Sequence, residues 1–146
     1  MSAQTAVAPA FIEASQVEPE FKVQECLGTA LVVDDNPDIT DLLAAVLRHA
    51  GYNVASAHSA PEALTMAVAR HFDVVVSDIG MPGMTGHELA RALRAMPEYR
   101  SIPMVAVTGF DLYDDRDRSA AAGFSAHLSK PIDPLALTQA IRGIRH

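Results

Sequence analysis

Five residues have the types and placement to do phosphate or metal chemistry: Asp34, Asp35, Asp78, Thr108 and Lys130. Each comes at the end of a short apolar run: Ala30 to Val33 before the two aspartates, Val74 to Ser77 before Asp78, Met104 to Val107 before Thr108, and Ser125 to Ser129 before Lys130. A buried strand that ends on a polar residue delivers it to the strand's C-terminal edge. In an open α/β sheet that edge binds ligands where strand order reverses. Three carboxylates gathered there repel one another, so the fold needs a lysine and a hard divalent cation to neutralise them. Mg2+ suits the set, because it takes oxygen ligands and is commonly held by one or two carboxylates plus phosphate oxygens. Asp78, whose run breaks into the turn residues Gly80, Pro82, Gly83 and Gly86, is the centre of the arrangement.

The elements that would position these residues form five strand-then-helix units. After Asp34-Asp35, Asn36 as N-cap and Pro37 at the first helical position start a helix, with Ile39, Leu42, Leu43, Val46 and Leu47 as its buried stripe and Gly51 as its stop. A second strand runs over Asn53 to Ala57. Ser59 and Glu62 read as a capping box before Ala63, Leu64, Ala67 and Val68. The third strand is Phe72 to Ser77, and Leu89, Leu93 and Met96 mark a helix that ends before Pro97. The fourth strand, Met104 to Val107, precedes an acidic, arginine-rich helix from Asp111 to Ala122, the least buried of the five. The fifth strand, Ser125 to Ser129, leads through Lys130-Pro131 to a last helix opened by Asp133-Pro134, with Leu137, Ile141 and Ile144 facing the core. Strands alternating with helices imply a parallel sheet with right-handed crossovers. Helices on both faces make it a doubly wound five-stranded parallel sheet of the α/β class.

Composition narrows the function. One domain of ordinary size is expected from 146 residues. The single cysteine, Cys26, and a start without a basic, apolar leader point to a reduced, cytoplasmic setting. No apolar run approaches a spanning helix, so membrane insertion is not expected. A net charge of −7 opposes direct nucleic-acid binding. The six histidines show no zinc-type spacing. Residues 1–27 carry four glutamates against one lysine, with Phe11, Ile12, Val17, Phe21 and Val23 at no sustained period. They read as a mostly flexible N-terminal extension, of which Glu18 to Cys26 could dock on the domain or on a partner. Residues 28–146 form the domain proper.

Four stretches together carry a family resemblance: Leu31-Val32-Val33-Asp34-Asp35-Asn36, Ser77-Asp78-Ile79-Gly80-Met81-Pro82-Gly83-Met84-Thr85-Gly86, Val107-Thr108-Gly109 and Leu128-Ser129-Lys130-Pro131. From about residue 28 to 146 the chain resembles the receiver domain of two-component response regulators. The resemblance implies a flavodoxin-like (βα)5 fold with strand order 2-1-3-4-5. It implies a phosphorelay signalling module, rather than a turnover enzyme, that promotes its own phosphorylation and dephosphorylation. Asp78 would be the phosphoacceptor, taking a phosphoryl group from a sensor histidine kinase or a histidine phosphotransfer protein as an acyl phosphate. Asp34, Asp35, Asp78 and the Gly80 backbone carbonyl would hold Mg2+. Lys130 would pair with the phosphoryl oxygens, Thr108 would hydrogen-bond one of them, and the Lys130-Pro131 bond would be cis. Thr108 and the residue three before the lysine would switch together and alter binding of a downstream protein at the helix 4, strand 5 and helix 5 face.

That second switch position is His127, where the family more often has Tyr or Phe. As a flat ring it could swing inward, or it could be a partly buried packing residue. An imidazolium resists burial, so a switch built on it would weaken at mildly acidic pH. Gly109 stands where alanine is common, which opens access to the site, and Gly80 offers no side chain to orient or exclude a hydrolytic water. Asp111, Asp114, Asp115, Arg116, Asp117 and Arg118 read either as a solvated mixed-charge face or as part of a partner surface. The chain ends at His146, directly after the fifth helix, which suggests a stand-alone module, although the stretch from Val105 to Leu137 also resembles receivers attached to hybrid kinases. Two rival functions are a binding-only pseudo-receiver and an aspartate-nucleophile phosphatase of the haloacid dehalogenase type. The phosphatase would need an Asp-x-Asp pair after strand 1, whereas this chain has adjacent aspartates followed by Asn36-Pro37.

Overall fold

The computed structural model describes residues 26–109 and 115–145. In chain order its elements are β1 (Gly28–Val33), α1 (Pro37–His49), β2 (Tyr52–Ala57), α2 (Ala60–Ala69), β3 (Val74–Asp78), α3 (Gly86–Arg94), a 3-10 turn (Pro97–Tyr99), β4 (Met104–Thr108), α4 (Asp115–Ala122), β5 (Ala126–Ser129) and α5 (Pro134–Arg145). The expected extension over residues 1–27 falls almost entirely outside the described residues. So does the start of the helix expected from Asp111.

Every residue of β3 and β4 is buried, as is Ala30 to Val33 of β1, because helices cover both faces of the sheet. Side chains alternate between two cores. Leu31, Val33, Val75, Met104 and Ala106 face α2 and α3, with Ala63, Ala67, Leu89 and Leu93. Ala30, Val32, Val74, Val76, Val105 and Val107 face α1 and α5, with Leu43, Leu47, Leu137 and Ile141. The strands are all parallel, in the order β2-β1-β3-β4-β5. After β1 the chain goes first to one side and then, from β3 onward, to the other, so strand order reverses between β1 and β3.

Register then fixes which strand-end residues meet. Val33 pairs with Ser77, so the next residues, Asp34 and Asp78, are neighbours. Asp78 pairs with Val107, which puts Thr108 one step beyond. Thr108 pairs with Ser129, and the residue after Ser129 is Lys130. β3 spans Val74–Asp78 rather than the expected Phe72 to Ser77, because its partner β4 carries pairing up to Asp78 itself.

Two helix stripes are narrower than expected. Leu42 is 41% exposed and Val68 is 73% exposed, each turned off the core face that Leu43 with Leu47, and Ala63 with Ala67, hold. Asn36 caps α1 as expected, its side chain accepting from Asp38 N at 2.9 Å. At α2 the Ser59 hydroxyl accepts from Glu62 N, but Glu62 returns to His58 N, one residue before the cap. The full reciprocal box is at α3, where Thr85 and Glu88 each satisfy the other's backbone N–H. α5 opens at Pro134 and buries Leu137 and Ile141, with Ile144 partly covered.

Candidate functional site

At the C-terminal edge of the sheet, one ligand oxygen from each of Asp34, Asp35 and Asp78 lies within 4.8 Å of the others. Asp34 and Asp78 are buried, at 1% and 6% exposure, while Asp35 is open to solvent. Lys130 Nζ reaches across from the end of β5 to 2.9 Å from Asp34 Oδ2 and 3.6 Å from Asp78 Oδ1. Its own backbone N–H donates to Thr108 O at 2.8 Å, which ties the lysine's loop to the end of β4. The Lys130-Pro131 bond is cis, as expected. Asp34 divides its two oxygens: Oδ2 takes the lysine, and Oδ1 accepts from Asn36 N at 2.9 Å, shaping the turn into α1.

The electrostatics follow from crowding. Burial, reinforced by the Asp34 charge, pushes the Asp78 carboxyl above the usual carboxylate value, and Lys130 with the backbone N–H groups of Gly80 and Ile79 only partly offsets this. Burial alone would pull the Lys130 ammonium down. Its hydrogen bond to Asp34 and the Asp78 charge override that and hold it above the ordinary lysine value. Two of the three carboxylates share the Lys130 ammonium and Asp35 is open to solvent, so the site keeps an excess of negative charge. That donor set fits a hard divalent cation.

The loop after Asp78 is held by Met81 N and Gly86 N, both donating to Ile79 O, at 3.0 and 2.9 Å. At Gly86 a Cβ would collide with the Asp78 carbonyl and the Ile79 backbone, so only glycine lets α3 begin this close to the acidic strand end. At Gly80 and Gly109 an added Cβ would meet nothing within 4 Å. Both therefore leave open space beside Asp78 and Thr108.

A family description of the response regulator receiver domain matches residues 30–142. This chain belongs to that family. The receiver is 39% identical over 114 residues to the response regulator PleD of Caulobacter vibrioides, a match covering 78% of this chain and 25% of PleD. It resembles the chemotaxis protein CheY4 of Vibrio cholerae with a TM-score of 0.77 and 32% identity, over 82% of this chain and 99% of CheY4. It also resembles the response regulator TrrA of Thermotoga maritima, solved in complex with Mg2+ and BeF, with a TM-score of 0.72 and 28% identity, over 81% of this chain and 99% of TrrA. A receiver of this kind is a signalling module of two-component systems. No helix among the described residues is long and apolar enough to cross a membrane.

Thr108 is 6% exposed at the end of β4. His127 is half-buried on β5, paired with Ala106, and its Nδ1 lies 3.2 Å from Ser119 Oγ on α4. Ser119 is also 3.2 Å from Nε2 of the buried His87 on α3. The ring expected to swing is thus joined through Ser119 to a second histidine, a link the sequence pattern did not reveal because three separate elements meet there. Arg94 is a second such residue. Its guanidinium donates to Gly123 O at 2.9 Å, Tyr99 O at 2.7 Å and Ser125 Oγ at 3.3 Å, joining the turn before β4 to the turn before β5.

Proposed function

We propose that this receiver takes a phosphoryl group onto Asp78 from a histidine kinase or a histidine phosphotransfer protein and thereby changes its binding to a downstream protein. The observation that carries this reading is the convergence of Asp34, Asp35 and Asp78 oxygens within 4.8 Å under one lysine that touches two of them. An Asp78 carboxylate oxygen attacks phosphorus. As the O–P bond forms, the P–N bond breaks and its electron pair leaves with the donor's imidazole nitrogen, giving an acyl phosphate. Asp34, Asp35, Asp78 and the Gly80 carbonyl would hold Mg2+, which when bound supplies positive charge to the phosphoryl oxygens. The similarity to TrrA, which binds Mg2+ and BeF, supports that assignment.

Lys130 leaves its partners at Asp34 and Asp78 in part to pair with the incoming oxygens, and the Thr108 hydroxyl hydrogen-bonds one of them. Thr108 and His127 then act as the switch, with Ser119 transmitting His127's position to α4. The α4, β5 and α5 face carries the altered affinity to the partner.

Acetyl phosphate with Mg2+ tests the chemistry. Intact mass is expected to rise by about 80 Da, one phosphoryl group, in the full chain but not in Asp78→Asn or with chelator present. Absence of an adduct after a fast acid quench would favour a receiver that binds without being phosphorylated.

A further inference from the structure

Where α1 and α5 lie side by side over the sheet they leave a groove of about 390 Å³, walled by the apolar side chains of Leu27, Leu47, Tyr52 and Ile141. A wider trough shares Ala50, Thr138 and Arg142 with it and runs on to Leu135. Apolar side chains are left in solvent at both ends, Leu27 at 44% and Leu135 at 60% exposure.

We propose that the groove is covered by the chain's own residues 17–25, with Phe21 and Val23 in its apolar part. Leu27 is both a wall of the groove and the residue through which the chain enters β1, and its N–H donates to Gly51 O at 2.9 Å, between α1 and β2. The chain therefore enters β1 from beside the groove. At about 3.3 Å per extended residue, the stretch from Phe21 to Leu27 reaches roughly 20 Å. The twelve-residue α5 is about 18 Å long. In an extended strap Phe21 and Val23 share one face, and Lys22 and Gln24 take the other. Charge agrees as well: Glu18, Glu20 and Glu25 flank those apolar residues, and Arg142 and His49 line the groove and trough. Tethering raises the local concentration of the strap to the millimolar range, so a modest contact is enough. The strap shields the α1 and α5 face from other occupants and lies away from the acidic edge.

Disulfide trapping in the full chain tests this directly. In a Cys26→Ser background, Val23→Cys and Thr138→Cys are oxidised under mild conditions, with and without Phe21→Glu. A docked strap gives an intramolecular disulfide whose rate falls about tenfold with Phe21→Glu, as a local concentration set by docking is lost. Amide exchange in α5 should quicken in the same variant without the cysteines. An intramolecular rate indifferent to Phe21→Glu would overturn the proposal in favour of an undocked tether. A predominantly intermolecular disulfide would overturn it in favour of a second copy of the chain in the groove.

Discussion

Asp78 carries a charge that burial and Asp34 disfavour and that Lys130 with the Gly80 and Ile79 N–H groups only partly offsets. It is buried, sits beside the buried Asp34, and shares Lys130 with it. Replacing it with the uncharged Asn should therefore stabilise the metal-free protein: in chelator at pH 7, Asp78→Asn is expected to unfold at a higher urea concentration than wild type. Adding Mg2+ should reverse the ranking. Ligand binding to the native state alone stabilises by about 2.7 kcal/mol at roughly 100 times Kd, and Asp78→Asn removes one of the proposed ligands. Equal midpoints in chelator would mean that the carboxylate carries no penalty there. Much of this site was readable from sequence, since a polar residue closing an apolar run identifies a strand-end position without any knowledge of packing. What was not readable is how the partners divide, with Asp34 giving one oxygen to Asn36 N and the other to Lys130.

Among the elements, the start of α3 is the most constrained. Gly86 N donates to Ile79 O at 2.9 Å, and the position has no room for a Cβ against Asp78's carbonyl. Gly86→Ala should cost about 1–3 kcal/mol, as overpacking against backbone does. Gly109→Ala, where a Cβ meets nothing within 4 Å, should change stability by less than about 0.5 kcal/mol. Urea melts of the two variants check the contrast, and equal losses would contradict it. In sequence these glycines look alike, because what approaches each one, the folded-back Asp78-Ile79 backbone at Gly86 and nothing at Gly109, is set by the fold and not by residue type. The same cause explains the misplaced stripe members: helical spacing allowed Leu42 and Val68 into the core, but α1 and α2 each lie on one sheet face and bury a narrower arc. The capping pattern misled in a related way, since Ser59-x-x-Glu62 and Thr85-x-x-Glu88 have the same spacing, and only the second closes on its own cap.

At the scale of the whole molecule, two cores on either side of one sheet must stay in register for the acidic edge to keep its shape. Tyr99 is one of the ties. It is fully buried, and its hydroxyl lies 2.8 Å from Ala67 O and 2.9 Å from Arg70 O while accepting from Phe72 N at 3.2 Å, fastening the end of α2 to the turn before β4. Tyr99→Phe leaves those groups short of a partner and should cost about 1–3 kcal/mol. Burial, helped by the Glu98 and Asp73 charges against the Phe72 N–H, raises the phenol above its ordinary value of 10.0. A raised value in the fold means that its stabilisation is complete below pH 10.0 and is lost as pH rises through the folded value. The gap between wild type and Tyr99→Phe in urea melts should therefore narrow at alkaline pH, and a gap that does not change with pH would contradict the assignment.

Chemical trapping reads directly whether Asp78 itself becomes the acyl phosphate. The full chain is incubated with acetyl phosphate and Mg2+, reduced with borohydride, which converts an aspartyl phosphate to homoserine, and mapped by peptide mass spectrometry. Homoserine at position 78 and at no other aspartate, with none in the chelator control, is the expected result. Reduction at Asp34 or Asp35 instead, or no metal-dependent reduction at any aspartate, would contradict the account.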